Sequence, residues 1–321
     1  MYPWLQQHWQ QLVQRAKNER LPHALLISGP AGLGKHVFTE RFAHYLLCDR
    51  PVADAPCGEC RSCTLLAAGS HPDYLAIEPE EPGKAIKIDQ IRQLAAFTAL
   101  TPQYGGHKLA IISPAEQMNR NAANSLLKTL EEPAGPTIML LVTSKPHRLP
   151  ATIRSRCQLV PVAVPDADVG RDWLATQSVD NPELVLALAE GAPLRAVTLA
   201  EQDLPGLREQ LLAELEALAA GQRDPVEIAG QWHKLSDSTP LYWFRQWIMD
   251  MIRLKSANTP AHLANPDMAG RLHKLAEKLD LVKLYRLLDG MNECLRLLGS
   301  SQVNPQLLME EQLIRWQASA R

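Results

Sequence analysis

Three groups of residues have types and spacings that could do chemistry. Gly29-Pro30-Ala31-Gly32-Leu33-Gly34-Lys35-His36 has the spacing of a phosphate-binding loop. Its glycines let backbone N–H groups curl round phosphate oxygens, and Lys35 would contact the β- and γ-phosphates. Ser or Thr should follow the lysine, to bind magnesium. Here the residue is His36, and a neutral imidazole is a poor ligand for a hard cation that prefers oxygen. Gly29, Gly32, Gly34, Lys35 and His36 are therefore nucleotide-binding candidates in a degenerate loop, and its occupancy stays open. Cys48, Cys57, Cys60 and Cys63 form the second group, Cys-x8-Cys-x2-Cys-x2-Cys. Two tight Cys-x2-Cys steps put thiolates on one tetrahedral centre, and four thiolates with no open position predict a structural zinc. The alternatives are two disulfides or free thiols. In the third group, Arg154 and Arg156 flank Ser155 just before the apolar run Gln158 to Val162. An arginine there can reach across a subunit boundary to a phosphate, because its planar fork matches phosphate oxygens and stays charged. A surface ion pair accounts for the same residues.

The elements that must position these groups follow from periodicity. Ala24–Ser28 is a short buried strand running straight into the glycine-rich loop, and Val37, Phe38, Phe42 and Leu46 mark the helix after it. A helix over Trp4 to Glu19 precedes them, with Leu5, Trp9, Leu12 and Val13 on one side. Four further runs read as strands: Tyr74–Ile77, Leu109–Ile112, Ile138–Val142 and Gln158–Val162. Helices fall between them, one opening at Ile88 after a flexible stretch from Glu78 to Lys84. Another carries Ala123, Leu126, Leu127 and Leu130 on one face and stops at Pro133. This alternation predicts a five-stranded parallel sheet covered on both faces, with ligands at the carboxyl ends of the strands. The phosphate loop and Arg156 both fall at that end. After Leu109–Ile112, Ser113 can be an N-cap, with Pro114 at the first helical position and Glu116 closing a capping box. His71, in His71-Pro72-Asp73, reads as a turn residue, with a metal-binding or metal-supporting role as the alternative.

The chain has 321 residues, enough for two or three domains, and a formal net charge of -2. That balance does not signal a nucleic-acid surface. The start has no charged region followed by an apolar one, and no apolar run approaches the ~20 residues of a membrane span. A cytoplasmic protein is expected, in which clustered cysteines favour metal. Pro161 to Asp168 reads as a linker, and Val169 to Glu201 as two or three short helices. From Leu207 onward the chain is leucine-rich with helical spacing, as in a helical bundle, where Trp243, Phe244 and Trp247 are expected in the core.

Leu126-Leu127-Lys128-Thr129-Leu130-Glu131-Glu132-Pro133 followed by Ser155-Arg156-Cys157 resembles the clamp-loader branch of the AAA+ ATPases. The resemblance implies that Arg156 is an arginine finger acting in trans. The acidic pair that ends the corresponding strand in active relatives is replaced by Ser113 and Pro114, so ATP hydrolysis by this chain alone is not expected. Thr143 or Ser144 falls where AAA+ proteins keep a polar sensor. A four-cysteine insertion at this place is also a clamp-loader feature. The implied domains are 1–163, AAA+ with its zinc module at about 48–63; 164–206, a helical lid; and 207–321, a helical collar joining a ring of five. Gly191-Ala192-Pro193-Leu194-Arg195 resembles a lid motif, but Pro193 shifts the arginine by one place and Arg195 is not assigned to nucleotide. The implied partners are γ/τ and δ clamp-loader subunits and, through the complex, the sliding clamp and primed DNA in the replicative polymerase assembly. An active γ/τ-like motor is the alternative, disfavoured by His36, Ser113 and Pro114. A self-contained zinc-dependent DNA-binding protein is disfavoured by the mild acidity and the lack of a basic stripe.

Overall fold

Alternation along five short strands decides the architecture. The structure, a computed structural model, describes all residues except 82, 105, 202–203, 236–238, 258–259, 261, 299–302 and 321, and the side chains of 204–205. The strands are β1 (Ala24–Ser28), β2 (Tyr74–Ile77), β3 (Lys108–Ile112), β4 (Thr137–Thr143) and β5 (Gln158–Pro161). They form one parallel sheet in the order β2-β3-β4-β1-β5. In register, Leu25 lies opposite Leu140 and Ile27 opposite Val142. These four join Leu109 and Ile111 on one face, under α1 (Gln6–Lys17) and α2 (Lys35–Leu47), which contribute Trp9, Leu12, Phe38 and Phe42. The intervening residues Ala24, Leu26, Ala110, Ile112, Met139 and Leu141 face the other way. There they meet Ile91 and Leu94 of α4 (Ile88–Thr98) and Leu126 and Leu130 of α5 (Arg120–Glu131). Between α2 and β2 lies α3 (Arg61–Ala67), and α6 (Ala151–Arg154) precedes β5. A sheet buried on both faces explains why its central strands read as continuous apolar runs.

The five expected strands are all present, with small shifts at the ends. β3 starts at Lys108, one residue before the apolar run, although Lys108 is charged. Its ammonium is buried, paired with Asp73 at 2.9 Å and donating to the Pro72 carbonyl. The predicted first helix starts with a 3-10 turn, Pro3–Leu5, and becomes α-helical only from Gln6. Pro82, inside the expected flexible stretch, lies outside the described residues.

The described residues divide into two compact units, Met1–Pro182 with Gly191–Val197, and Glu183–Glu190 with Thr198–Arg321. The first holds the sheet and α7 (Ala167–Ala175). The segment expected to form a lid supplies α7, α8 (Pro182–Leu188) and α9 (Pro193–Glu201) and is shared between both units. The second unit is otherwise helical: α10 (Leu204–Ala219), α11 (Pro225–Lys234), α12 (Thr239–Ser256), α13 (Ala269–Glu277), α14 (Leu281–Leu298) and α15 (Pro305–Ala320). Helix α15 packs along α11 and α14, and α12 along α13 and α14. Trp243, Phe244 and Trp247 are buried, with Phe244 edge-on to Trp316 at 5.4 Å. Trp247 Nε1 is buried without a hydrogen-bond partner among the described residues, whereas two other buried indoles find one. Trp316 donates to the Leu215 carbonyl, and Trp232 to Glu214. Among the described residues no helix is long and apolar enough to cross a membrane.

Candidate functional site

The phosphate loop leaves the carboxyl end of β1 and ends where α2 begins. Gly34 has φ +78°, and a Cβ there would come within 2.3 Å of the Tyr2 ring. Only glycine fits both the left-handed backbone and that contact. Tyr2 stacks on Trp4 at 5.2 Å, and Trp173 of α7 meets both rings edge-on. Trp4 Nε1 donates to the Leu33 carbonyl at 2.9 Å, and the Leu194 N–H to the Gly32 carbonyl at 3.1 Å. The start of α9 thus lies against the loop, with Arg195 Cβ 2.7 Å from where a Gly32 Cβ would be. Lys35 is buried and donates to the Pro30 carbonyl at 2.6 Å and to Ser144 Oγ at 3.1 Å. Burial lowers its ammonium to about 8, with the Glu116 carboxylate pulling the other way. Ser144 thereby lines the loop, while the Thr143 hydroxyl accepts from the Lys145 N–H.

His36 and Ser113, the two positions that departed from the magnesium pattern, meet directly, His36 Nδ1 lying 3.1 Å from Ser113 Oγ. His36 Nε2 faces Glu78 at 3.6 Å. The capping box expected from Ser113 to Glu116 is not formed. Only a single 3-10 turn, Ala115–Gln117, follows Pro114, so no N3 amide is placed for the Ser113 hydroxyl. That hydroxyl turns to His36, and Glu116 instead accepts from the Ser144 N–H at 3.0 Å. The cleft lined by Gly32, Gly34, Lys35, His36, Ser113 and Ser144 has a volume of about 320 Å³.

The four cysteines, distributed from the end of α2 to α3, converge. Their sulfurs all lie within 4.8 Å of one another. Cys48 and Cys60 are 3.9 Å apart, as are Cys57 and Cys63. Zn–S bonds of about 2.3 Å in a tetrahedron place sulfurs about 3.8 Å apart, far beyond a disulfide bond of ~2.05 Å. All four cysteines are free, so the donor set fits a metal such as zinc. Backbone N–H groups of Cys57, Cys60 and Cys63 point at the sulfurs of Cys48, Cys57 and Cys60. The N–H groups of Glu59 and Cys60 hold the Cys57 thiol down to about 6, whereas burial pushes Cys63 up to about 12. Four thiolate donors would hold zinc as a closed structural centre. His71 is not in the cluster. It is buried, with Nδ1 accepting from the Asp73 N–H and its ring 5.3 Å from that of Tyr104.

Arg156 follows α6. Its guanidinium pairs with Glu131, the last residue of α5, and Nη1 donates to the Thr152 carbonyl at 2.9 Å. The side chain remains 35% exposed. Arg154 is exposed, and its side chain has no partner among the described residues. Cys157 is buried beneath the turn, against Leu149 and Ile153 of the α5 side of the sheet. Sequence reasoning had not found Tyr2, Trp4 or Glu78 at the loop, nor a partner for Arg156.

A parallel sheet of this order, with a phosphate loop after β1, a four-cysteine module behind the next helix and a helical second unit, is the AAA+ fold of clamp-loader proteins. A crystal structure of a DNA polymerase III gamma subunit-related protein from Thermotoga maritima shares it, with a TM-score of 0.50 at 21% identity over 97% of this chain and 100% of that one. The chain belongs to the DNA polymerase III delta′ subunit family. It is 39% identical to DNA polymerase III subunit delta′ of Pseudomonas aeruginosa over 98% of this chain and 97% of the relative. It is 34% identical to the Escherichia coli subunit of that name, over 98% and 94%. Residues 4–166 match the family described as DNA polymerase III, delta subunit, and residues 202–318 its C-terminal counterpart.

Proposed function

We propose that this chain is the non-motor member of a clamp loader and presents Arg156 to ATP held by a neighbouring γ/τ subunit. The observation that carries this reading is the His36–Ser113 pair. The two places that should supply oxygen ligands to magnesium hold an imidazole and a hydroxyl bonded to each other. The nearby carboxylates are turned elsewhere, Glu78 to His36 and Glu116 to Ser144. The residues present do not fit a magnesium–nucleotide complex, and positioning with charge neutralisation by metal supplies most of phosphoryl-transfer catalysis. Gly29, Gly32, Gly34 and Lys35 persist as scaffold, and the chain does not hydrolyse ATP on its own. Arg156, at the amino end of β5 and therefore at the opposite end of the sheet from the phosphate loop, is partly exposed and supplies a guanidinium to the outside. The 1–163 region acts as the AAA+ body, 164–206 as the lid and 207–321 as the collar. The assembly, with γ/τ and δ subunits, opens the sliding clamp and places it on primed DNA in the cytoplasm. Zinc held by Cys48, Cys57, Cys60 and Cys63 is structural.

The test is Arg156→Ala in the reconstituted complex. Assembly should be intact and ATP-driven clamp loading slower by about a thousandfold. Unchanged loading, or vigorous metal-dependent turnover by the purified chain alone, would refute the reading.

A further inference from the structure

We infer that Glu131 is a positioning residue for Arg156, holding its guanidinium ready for the phosphate of a neighbouring nucleotide; the inference rests on the reading of Arg156 just given. Glu131 is the last residue of α5, where the backbone carbonyls present the negative end of the helix dipole and a carboxylate is disfavoured. Glu132, one residue on, is exposed and its side chain has no partner among the described residues. Of these adjacent carboxylates, only Glu131 is compensated, and Arg156 compensates it. The selection repeats on the other side. Arg154 and Arg156 flank the same serine, yet only Arg156 is held, by Glu131 on one arm of the fork and by the Thr152 carbonyl on the other. A long side chain that would otherwise sample many rotamers is thus tied at two points, one on α5 and one on α6. A guanidinium carries five N–H donors, and two fixed contacts leave three for phosphate oxygens.

The pair is exposed, with 35% of the Arg156 side chain and 48% of the Glu131 side chain accessible. It orders the arginine without burying it, which suits a group that must meet a second protein. The alternative role for a carboxylate at that place is to sequester the arginine by competing with phosphate. The two roles predict opposite signs: removing a competitor speeds turnover, whereas removing a positioning group slows it. The open donors favour positioning.

The experiment uses the reconstituted complex and measures kcat and KM for ATP with Glu131→Ala, Glu131→Gln, Glu132→Ala, Arg156→Ala and the Glu131→Ala/Arg156→Ala double variant. Glu131→Ala should lower kcat about fivefold, near the upper end for an exposed pair, with KM little changed. Glu131→Gln, which keeps an acceptor, should fall between it and the wild type, and Glu132→Ala should match the wild type. In the Arg156→Ala background, Glu131→Ala should have no further effect, because Glu131 acts only through Arg156. A full-rate or faster Glu131→Ala complex beside a slow Arg156→Ala complex would overturn the inference while leaving the finger intact, as would multiplying effects in the double variant. A full-rate Arg156→Ala complex would instead overturn the reading of Arg156 itself.

Discussion

The cysteine module and the phosphate loop are both ligand-holding motifs, and they differ in where their donors point. In the module, four sulfurs from two stretches of backbone aim at one point, at the spacing of a tetrahedral metal centre. In the loop, the side chains and two of the carbonyls are met by the protein itself: Lys35 by Pro30 and Ser144, His36 by Ser113, the Gly32 and Leu33 carbonyls by Leu194 and Trp4. Buried polar groups must be satisfied. The sulfurs of the module face one shared centre, whereas the side chains of the loop face partners in the protein.

The largest effect expected from this contrast lies in the module. Purified anaerobically, the chain should contain one zinc. Structural zinc contributes on the order of 10 kcal/mol in small metal-nucleated folds, and chelation or Cys60→Ser should unravel residues 48–67. Hydrogen exchange would record this as loss of protection confined to α3 and its approach. Unchanged protection after complete metal removal would place the module beside the loop, as a motif whose side chains are held by the protein itself.

How far each site was legible in the sequence follows from the same distinction. Spacing is local: Cys-x2-Cys-x2-Cys fixes three sulfurs within seven residues, and Cys48 comes from the end of the preceding helix, so convergence could be read from the chain. The strands were legible too, because burial on both faces leaves runs such as Leu109–Ile112 uniformly apolar. Satisfaction is not local. Tyr2 and Trp4 reach the loop across some 30 positions, and the bond from His36 to Ser113 spans 77. The Ser113 capping box failed for this reason: a local pattern offered the hydroxyl one partner and the tertiary fold offered another. Glu131 did leave a local signal, since a carboxylate closing a helix invites the question of what offsets it.

A second prediction asks whether the loop is merely covered. Trp4→Ala removes the indole that bonds Leu33 and stacks on Tyr2. Loss of a half-buried Trp with its hydrogen bond should destabilise the chain by about 2–3 kcal/mol, seen as a lower urea midpoint. Calorimetry with ATP should show no gain in affinity on adding magnesium, because His36 and Ser113 offer no ligand set for the cation with or without the aromatic cover. Magnesium-dependent binding by this variant would erase the difference between the two motifs.

The smallest effect is the most specific. Lys35 is buried, and its ammonium falls from the ordinary 10.5 to about 8. A drop of that size amounts to roughly 3 kcal/mol against the charged form. Lys35→Met removes the charge while keeping an unbranched chain, and forgoes two hydrogen bonds of about 1 kcal/mol each. The net is a stabilisation of about 1–2 kcal/mol at pH 7. Its pH dependence has a definite sign. Below about 8 both folded and unfolded chains hold the Lys35 proton, and the penalty is complete. Between about 8 and 10.5 the unfolded chain keeps a proton that the folded chain has shed, so the wild type gains stability as pH rises. The advantage of Lys35→Met should therefore be full at pH 7 and shrink steadily towards pH 10, measured as the difference in urea midpoint between the two proteins. An equal or lower midpoint for the variant at pH 7 would mean that the hydrogen bonds to Pro30 and Ser144 outweigh the burial of the charge, and that Lys35 is part of what holds the loop in place.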